Sequence, residues 1–310
     1  MKPEILGLEY RVLSVDDTIA DENREAIMTG KYDALCLVGG SCSDLSFFAS
    51  SRNKVRDLWV KNFGPTDIIG IENLCNLKSL HLETGSELLP KGKQLDFSAF
   101  PNLESCLIYW RKEYSRNLFD CPKLQFLRMY EYDRKALTEL SNMTSLRELS
   151  LTQSAIVSLE GLESVSSLES LDLAYLRKLN DISAIRSLSR LKRLVIDKIK
   201  CLGVNDLLPI FDVKTLESLS IGTGYELPNL LPFTQLISLR KLICYSQVVD
   251  QDFSFLFNLK QLKSVRFIGL RNYVKTDDEI FDIAKRANRK LKVEILGRGK
   301  KEQTVIFTLD

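Results

Sequence analysis

The stretch Leu146-Arg-Glu-Leu149-Ser-Leu151 recurs as Leu168-Glu-Ser-Leu171-Asp-Leu173 and again as Leu191-Lys-Arg-Leu194-Val-Ile196. The starts are 22 and 23 residues apart. Between the first two copies, Ile156, Leu159, Leu162 and Val165 keep an apolar residue at every third position. Leu179, Ile182, Ile185 and Leu188 do the same between the second and third. A short strand whose alternate leucines point one way, followed by a return path that buries every third residue, is one turn of a solenoid.

Working outward, the central apolar residue of each strand falls at Leu35, Leu58, Leu80, Cys106, Leu127, Leu149, Leu171, Leu194, Leu219, Leu242 and Val265, at intervals of 21 to 26 residues. That predicts about eleven units over residues 32–275. The first two, Tyr32-Asp-Ala-Leu35-Cys-Leu37 and Val55-Arg-Asp-Leu58-Trp-Val60, are degenerate. The longer intervals after Leu80 and Leu194 place loop insertions near Gly85–Gly92 and Leu202–Pro209. Residues 1–31 do not follow the repeat and read as an N-terminal cap, with a loosely alternating strand within Ile5–Val15 and a helix over Asp21–Met28 stopped by Gly30. Residues 276–310 read as a C-terminal cap: a helical stretch from Thr276 to Asn288, a twelfth strand at Leu291–Leu296, and a hairpin partner at Thr304–Thr308.

The units resemble leucine-rich repeats, and among these the bacterial internalin type. Leu179-Asn-Asp-Ile182 is similar to that family's segment from strand to return path. The resemblance covers roughly residues 32 to 296. It implies an α/β leucine-rich-repeat solenoid, with a curved parallel sheet on the concave face, short helical or irregular convex segments, and non-repeat caps. It also implies a protein-binding frame whose surface differs from member to member. Two departures stand out. The family places Asn or Cys eight residues after the first leucine, to bond the loop backbone. Here those positions hold Gly85, Arg111, Tyr132, Ser154, Leu176, Ile199, Gly224, Gln247 and Leu270, so the loop amides need water or other partners. The N-terminal residues lack a secretory pattern and no wall anchor is seen, so an adhesin role is not carried over.

Composition narrows the function classes. Of 310 residues, 45% are hydrophobic and 27% charged, with a net charge of +2, which gives no strong global attraction to nucleic acid or to an anionic membrane. No apolar run reaches the length of a membrane span. Seven cysteines are scattered, without a C-x-x-C pair, and Cys106 and Cys244 occupy apolar positions of the repeat. They read as free core thiols in a reducing cytoplasm.

Catalytic signals are sparse. His81 is the only histidine, so His-based metal sites and Ser-His-Asp or Cys-His chemistry would rest on one residue. Register puts it on the outer side of its strand, between inward Leu80 and Leu82, as a solvated or partner-contacting residue. Gly222-Thr-Gly224 and Val38-Gly-Gly40 follow strands but complete no phosphate-binding fingerprint. The expectation is a non-enzyme without cofactor or metal.

What the repeat does predict is a surface. Alternation sends the residues beside each central leucine to the concave face. The first part of that face collects Trp59, His81, Tyr109, Trp110, Arg128, Tyr130 and Tyr132, continuing to Asp172 and Tyr175. From Trp59 to Asp172 this spans about 24 Å at one strand spacing per step, the width of one side of a protein interface. Trp, Tyr and Arg are the types enriched at binding hot spots. Two readings stand: a partner surface, or rings that pack on one another and on the inserted loop. Stacking of single-stranded nucleic acid is disfavoured by Glu83, Glu104, Glu113, Glu131 and Asp172 nearby. The basic cluster of Lys285, Arg286, Arg289, Lys290, Lys292, Arg298, Lys300 and Lys301 reads as the solvated outside of a cap. The expected function is a cytoplasmic protein that binds another protein without turnover. It would be a stoichiometric inhibitor (a toxin-immunity protein is one version) or a scaffold adaptor, with nucleic-acid binding the weaker alternative.

Overall fold

The computed structural model describes residues 11–15, 19–38, 45, 46, 48, 54–62, 70–84, 95–112, 115–271, 277–286, 289–297 and 300–310. It divides into two compact units, Met1–Tyr132 and Asp133–Asp310. The insertion expected near Gly85–Gly92 and the strand expected from Ile5 onward lie wholly or partly outside the described residues.

In the first unit, β1 (Val12–Val15) is followed by helix α1 (Asp21–Met28). Then come β2 (Ala34–Val38), β3 (Asp57–Asn62), β4 (Ser79–Thr84), β5 (Ser105–Tyr109) and β6 (Phe126–Tyr130). These strands lie side by side in sequence order and all in parallel. Leu35, Leu58, Leu80, Cys106 and Leu127 face one another in a single register column. Every one of them is buried.

In the second unit, β7 (Glu148–Thr152), β8 (Ser170–Ala174), β9 (Arg193–Ile199), β10 (Ser218–Thr223), β11 (Lys241–Cys244) and β12 (Ser264–Arg271) repeat the arrangement. Leu149, Leu171, Leu194, Leu219, Leu242 and Val265 form its register column. Helix α2 (Leu208–Phe211) and helix α3 (Asp277–Arg286) interrupt the strands. The chain ends in an antiparallel hairpin, β13 (Leu291–Leu296) and β14 (Glu302–Leu309). The last strand, β14, inserts beside β12, so β13 is outermost rather than continuing the parallel order as a twelfth repeat strand. The insertion near Leu202–Pro209 is a folded segment and not an open loop: a 3-10 turn at Asn205–Leu207 runs into α2, with Pro209 in the first turn.

The three-residue apolar period of the return paths has a direct structural cause. Leu162 N–H donates to Leu159, Val165 to Leu162, and Leu168 to Val165. The same relay links Ile182, Ile185, Leu188 and Leu191, and again Phe253, Leu256, Leu259 and Leu262. A 3-10 geometry has three residues per turn, so the residues that enter the core are those whose backbone groups pair with each other. The buried amides are thereby satisfied inside the apolar layer. Cys106, Cys121 and Cys244 fill core positions, and all six described cysteines are free.

The missing Asn ladder has replacements. The ladder position is buried and apolar at Tyr132 in the first unit, and at Leu176, Ile199 and Leu270 in the second. Loop amides pair instead with the next strand's end: Gln153 N–H donates to Ala174 O at 3.1 Å and Tyr175 N–H to Asp197 O at 2.9 Å. At four of the corners a non-glycine residue adopts positive φ: Glu131, Gln153, Tyr175 and Lys198, between 53° and 58°. Gln247 acts as the family's Asn would, donating to Gly269 O and accepting from Arg271 N–H. Among the described residues no helix is long and apolar enough to cross a membrane.

Leu171 is fully buried, so Leu171→Ala is expected to cost about 2–5 kcal/mol in urea unfolding, from lost transfer energy and the cavity left behind. Gly161 has φ +99°, and a Cβ there would lie 2.4 Å from the Leu137 carbonyl carbon. Gly161→Ala should therefore lower stability by more than the roughly 1 kcal/mol of an ordinary glycine substitution at a strained φ.

Candidate functional site

On the outer strand face of the first unit, Trp59, His81, Leu107 and Arg128 form one register row across β3 to β6. Beside it, Tyr109 and Tyr130 are paired in register and stack with ring centroids 4.7 Å apart, inclined by 14°. Trp59 leans on His81 at 6.1 Å. The row is not uniformly open: Leu107 is buried, Trp59, His81, Tyr109 and Tyr130 are half-buried, and Arg128 is exposed. Arg128 makes no ion pair among the described residues. Lys61 and Glu83, paired in register, border the patch.

Two expected surface residues are corrected. Trp110 and Tyr132 are buried, with 4% and 0% of their surface exposed. Trp110 stacks on Phe119 at 5.4 Å and meets Tyr132 edge-on at 4.9 Å. The reason is positional. Strand alternation ends at Tyr130, and the left-handed corner at Glu131 sends Tyr132 inward. Arg111 bridges this corner, reaching Glu131 at 2.9 Å and the Trp110 carbonyl at 2.6 Å. The self-packing reading thus holds for these two rings, while Tyr109 and Tyr130 stay on the outer face.

Asp172 and Tyr175 belong to the second unit. Asp172 is half-buried and lies 3.7 Å from the Arg193 guanidinium. Tyr175 is exposed, its hydroxyl accepts from Lys198 Nζ at 2.5 Å, and the ammonium sits 4.6 Å from the ring centroid. The basic cluster at the C-terminal end is partly structural. Arg289 donates to the carbonyls of Leu259, Leu262 and Asp310, and Lys290 pairs with the Asp310 carboxylate. That matches neither a free phosphate-tracking surface nor a wholly solvated one.

Sequence reasoning missed a polar group beside the patch, on the same strand face. Asp57, Ser79 and Ser105 occupy one register column on adjacent strands, just before the central apolar residues. His81 Nε2 lies 3.3 Å from Ser79 Oγ and 3.4 Å from Ser105 Oγ. Burial holds His81 below its ordinary pKa, reinforced by Arg128 and Lys61 and opposed by Glu83. The imidazole is therefore neutral at pH 7 and exchanges hydrogen bonds with the serines, rather than standing free in solvent. Burial raises Asp57 to about 6, against the opposing pull of Ser79, Arg56 and Lys78, while Asp33 adds to the rise. Its carboxyl bonds Ser79, and Oδ2 has no hydrogen-bond partner among the described residues. A nucleophile triad sets histidine between serine and carboxylate; here serine stands between the other two. The signal available in the sequence was the column itself, small and polar at three successive strands. Among the described residues no group of three or more His, Cys, Asp or Glu could hold a metal.

Two consequences can be measured. Trp110→Ala and Tyr132→Ala should each lower stability by about 3–5 kcal/mol in chemical unfolding, as buried aromatics do. Asp57 holds its proton longer in the folded protein than in the unfolded chain. Its contribution to stability is therefore full below the unfolded pKa of about 4 and is lost as pH rises through about 6. Urea titrations at several pH values should show stability falling over this window by on the order of 2–3 kcal/mol from this group. Asp57→Asn should flatten that slope.

No protein-family model matches the sequence, and no curated protein matches it. Solved structures do. An internalin, InlF, from Listeria monocytogenes superposes over 89% of this chain and 84% of its own, at 20% identity and a TM-score of 0.57. A leucine-rich-repeat protein of Leptospira interrogans matches over 84% of this chain and 66% of its own, with 22% identity and a TM-score of 0.59. The functional domain of InlJ from Listeria monocytogenes matches over 85% of this chain and 55% of its own, with 14% identity and a TM-score of 0.53. The parallel register columns, the 3-10 return paths and these superpositions together identify the chain as a leucine-rich-repeat solenoid of the fold that internalins carry.

Proposed function

We propose that the protein binds another protein, without turnover, through the outer strand face of its first unit. The observation that carries this reading is the row of Trp59, His81 and Arg128 beside the stacked Tyr109–Tyr130 pair. Stacked rings offer wide apolar area with little rotamer freedom left to lose, and an exposed arginine with no ion pair among the described residues offers directed donors. The leucine-rich-repeat fold supports a protein-interaction role. The neutral His81 held between two serines stiffens the floor on which a partner would rest. The finer reading is a stoichiometric inhibitor or adaptor. The scattered, odd set of cysteines supports work in the cytoplasm.

The test starts from affinity capture out of the native lysate with mass spectrometry, followed by calorimetric titration of the purified pair. Arg128→Ala and Tyr130→Ala should each weaken binding by about 2 kcal/mol, roughly thirtyfold, with unchanged unfolding curves. Ser220→Ala, on the second unit's outer row, should bind as wild type. If both patch variants bind like wild type, the assignment of this face is abandoned.

A further inference from the structure

Strand β13 is outermost in the second unit's sheet, and among the described residues its only strand partner is β14. Its other edge presents backbone N–H and C=O groups with no strand beside them, the condition that templates pairing with another chain. The two faces of the strand differ. Lys292 and Glu294 are exposed, and neither makes an ion pair among the described residues. Leu291, Val293 and Ile295 point the other way, opposite Leu309, Phe307 and Val305 of β14. Those three β14 residues are buried, whereas the β13 residues are only half-covered. The apolar layer therefore stops one strand short of being closed. Helix α3, which packs against β13, leaves Phe281 43% exposed at the same end.

We infer that β13 pairs antiparallel with β13 of a second copy of this chain, centred on Val293. Along a strand, alternate residues turn their backbone groups to a given edge. Two identical edges can bond only when residues of like parity stand opposite. Among the registers that overlap most of the strand, centring on Lys292 sets lysine against lysine, and centring on Glu294 sets glutamate against glutamate. Opposed like charges are unfavourable. Centring on Val293 sets Lys292 against Glu294 twice and Leu291 against Ile295 twice. The contact is isologous and closes on itself, as a two-fold interface must. It also covers the half-exposed apolar row from both copies.

Sedimentation velocity over roughly 1 to 100 µM, the range of a small interface, tests this with the intact chain. Wild type should show a reversible monomer–dimer equilibrium. Lys292→Glu and Glu294→Lys should each weaken self-association by about tenfold or more, with circular dichroism melts like wild type. Mixed one to one, the two variants should form a heterodimer at wild-type affinity, because each glutamate then meets a lysine. Three results overturn the inference: a wild type that stays monomeric throughout, single variants that associate as wild type does, or a mixture that fails to restore the dimer.

Discussion

The constraint on which each unit depends is the alignment of buried residues from strand to strand. In the second unit Leu171 lies opposite Leu149 and Leu194, and Leu173 opposite Leu151 and Ile196. A slip of one residue would turn these side chains to the outer face and bring Ser150, Asp172 and Val195 into the core. The buried columns therefore fix the register. The register in turn fixes which residues stand together on the outside. Trp59 beside His81, and Tyr109 on Tyr130, follow from the register that the buried residues set.

The return paths meet a second requirement without specialised side chains. Repeats that bring a chain back across a core carry many amides through apolar surroundings, and an unpaired buried amide is costly. The family's Asn ladder is one answer. Here the 3-10 relay pairs the amide of each buried residue with the carbonyl of the previous buried residue. Short polar side chains then cap the turns outside the core. Asp96 accepts from Ser98, Asp181 from Ser183, and Asp252 from Ser254. The ladder position, relieved of its polar role, becomes apolar at Leu176, Ile199 and Leu270.

The candidate surface combines a stiff base with unequal exposure. Leu107 is buried between two more open positions of its row, so the patch is a shallow surface with an apolar floor. The polar group beside it holds a carboxyl that burial raises to about 6 and an imidazole whose pKa burial lowers. Buried polar groups of this kind hold their neighbours in one arrangement at the expense of stability.

The sequence by itself determined the repeat, its register columns and the side of each strand that faces out. Both periods involved, two along the strands and three along the return paths, are local and repeat often enough to be unambiguous. It also placed helix α1, helix α3 and the two hairpin strands to within a few residues. Tertiary structure alone decided what happens where the periods break. The fate of Tyr132 turned on a left-handed corner at Glu131, and Phe119 arrives from the return segment to pack on both Tyr132 and Trp110. The apolar character of the ladder position at Leu176, Ile199 and Leu270 was a legible hint for Tyr132, and for Trp110 the hint was strand alternation, which puts it on the same side as buried Cys106 and Ile108. The burial of Asp57 and the cradle around His81 needed side chains from three strands to meet. The order of β13 and β14 depended on whether the antiparallel edge of the hairpin or its first strand docked on β12. Alternation along one strand says which face is apolar, but the neighbour that covers it is chosen by packing between segments distant in the chain.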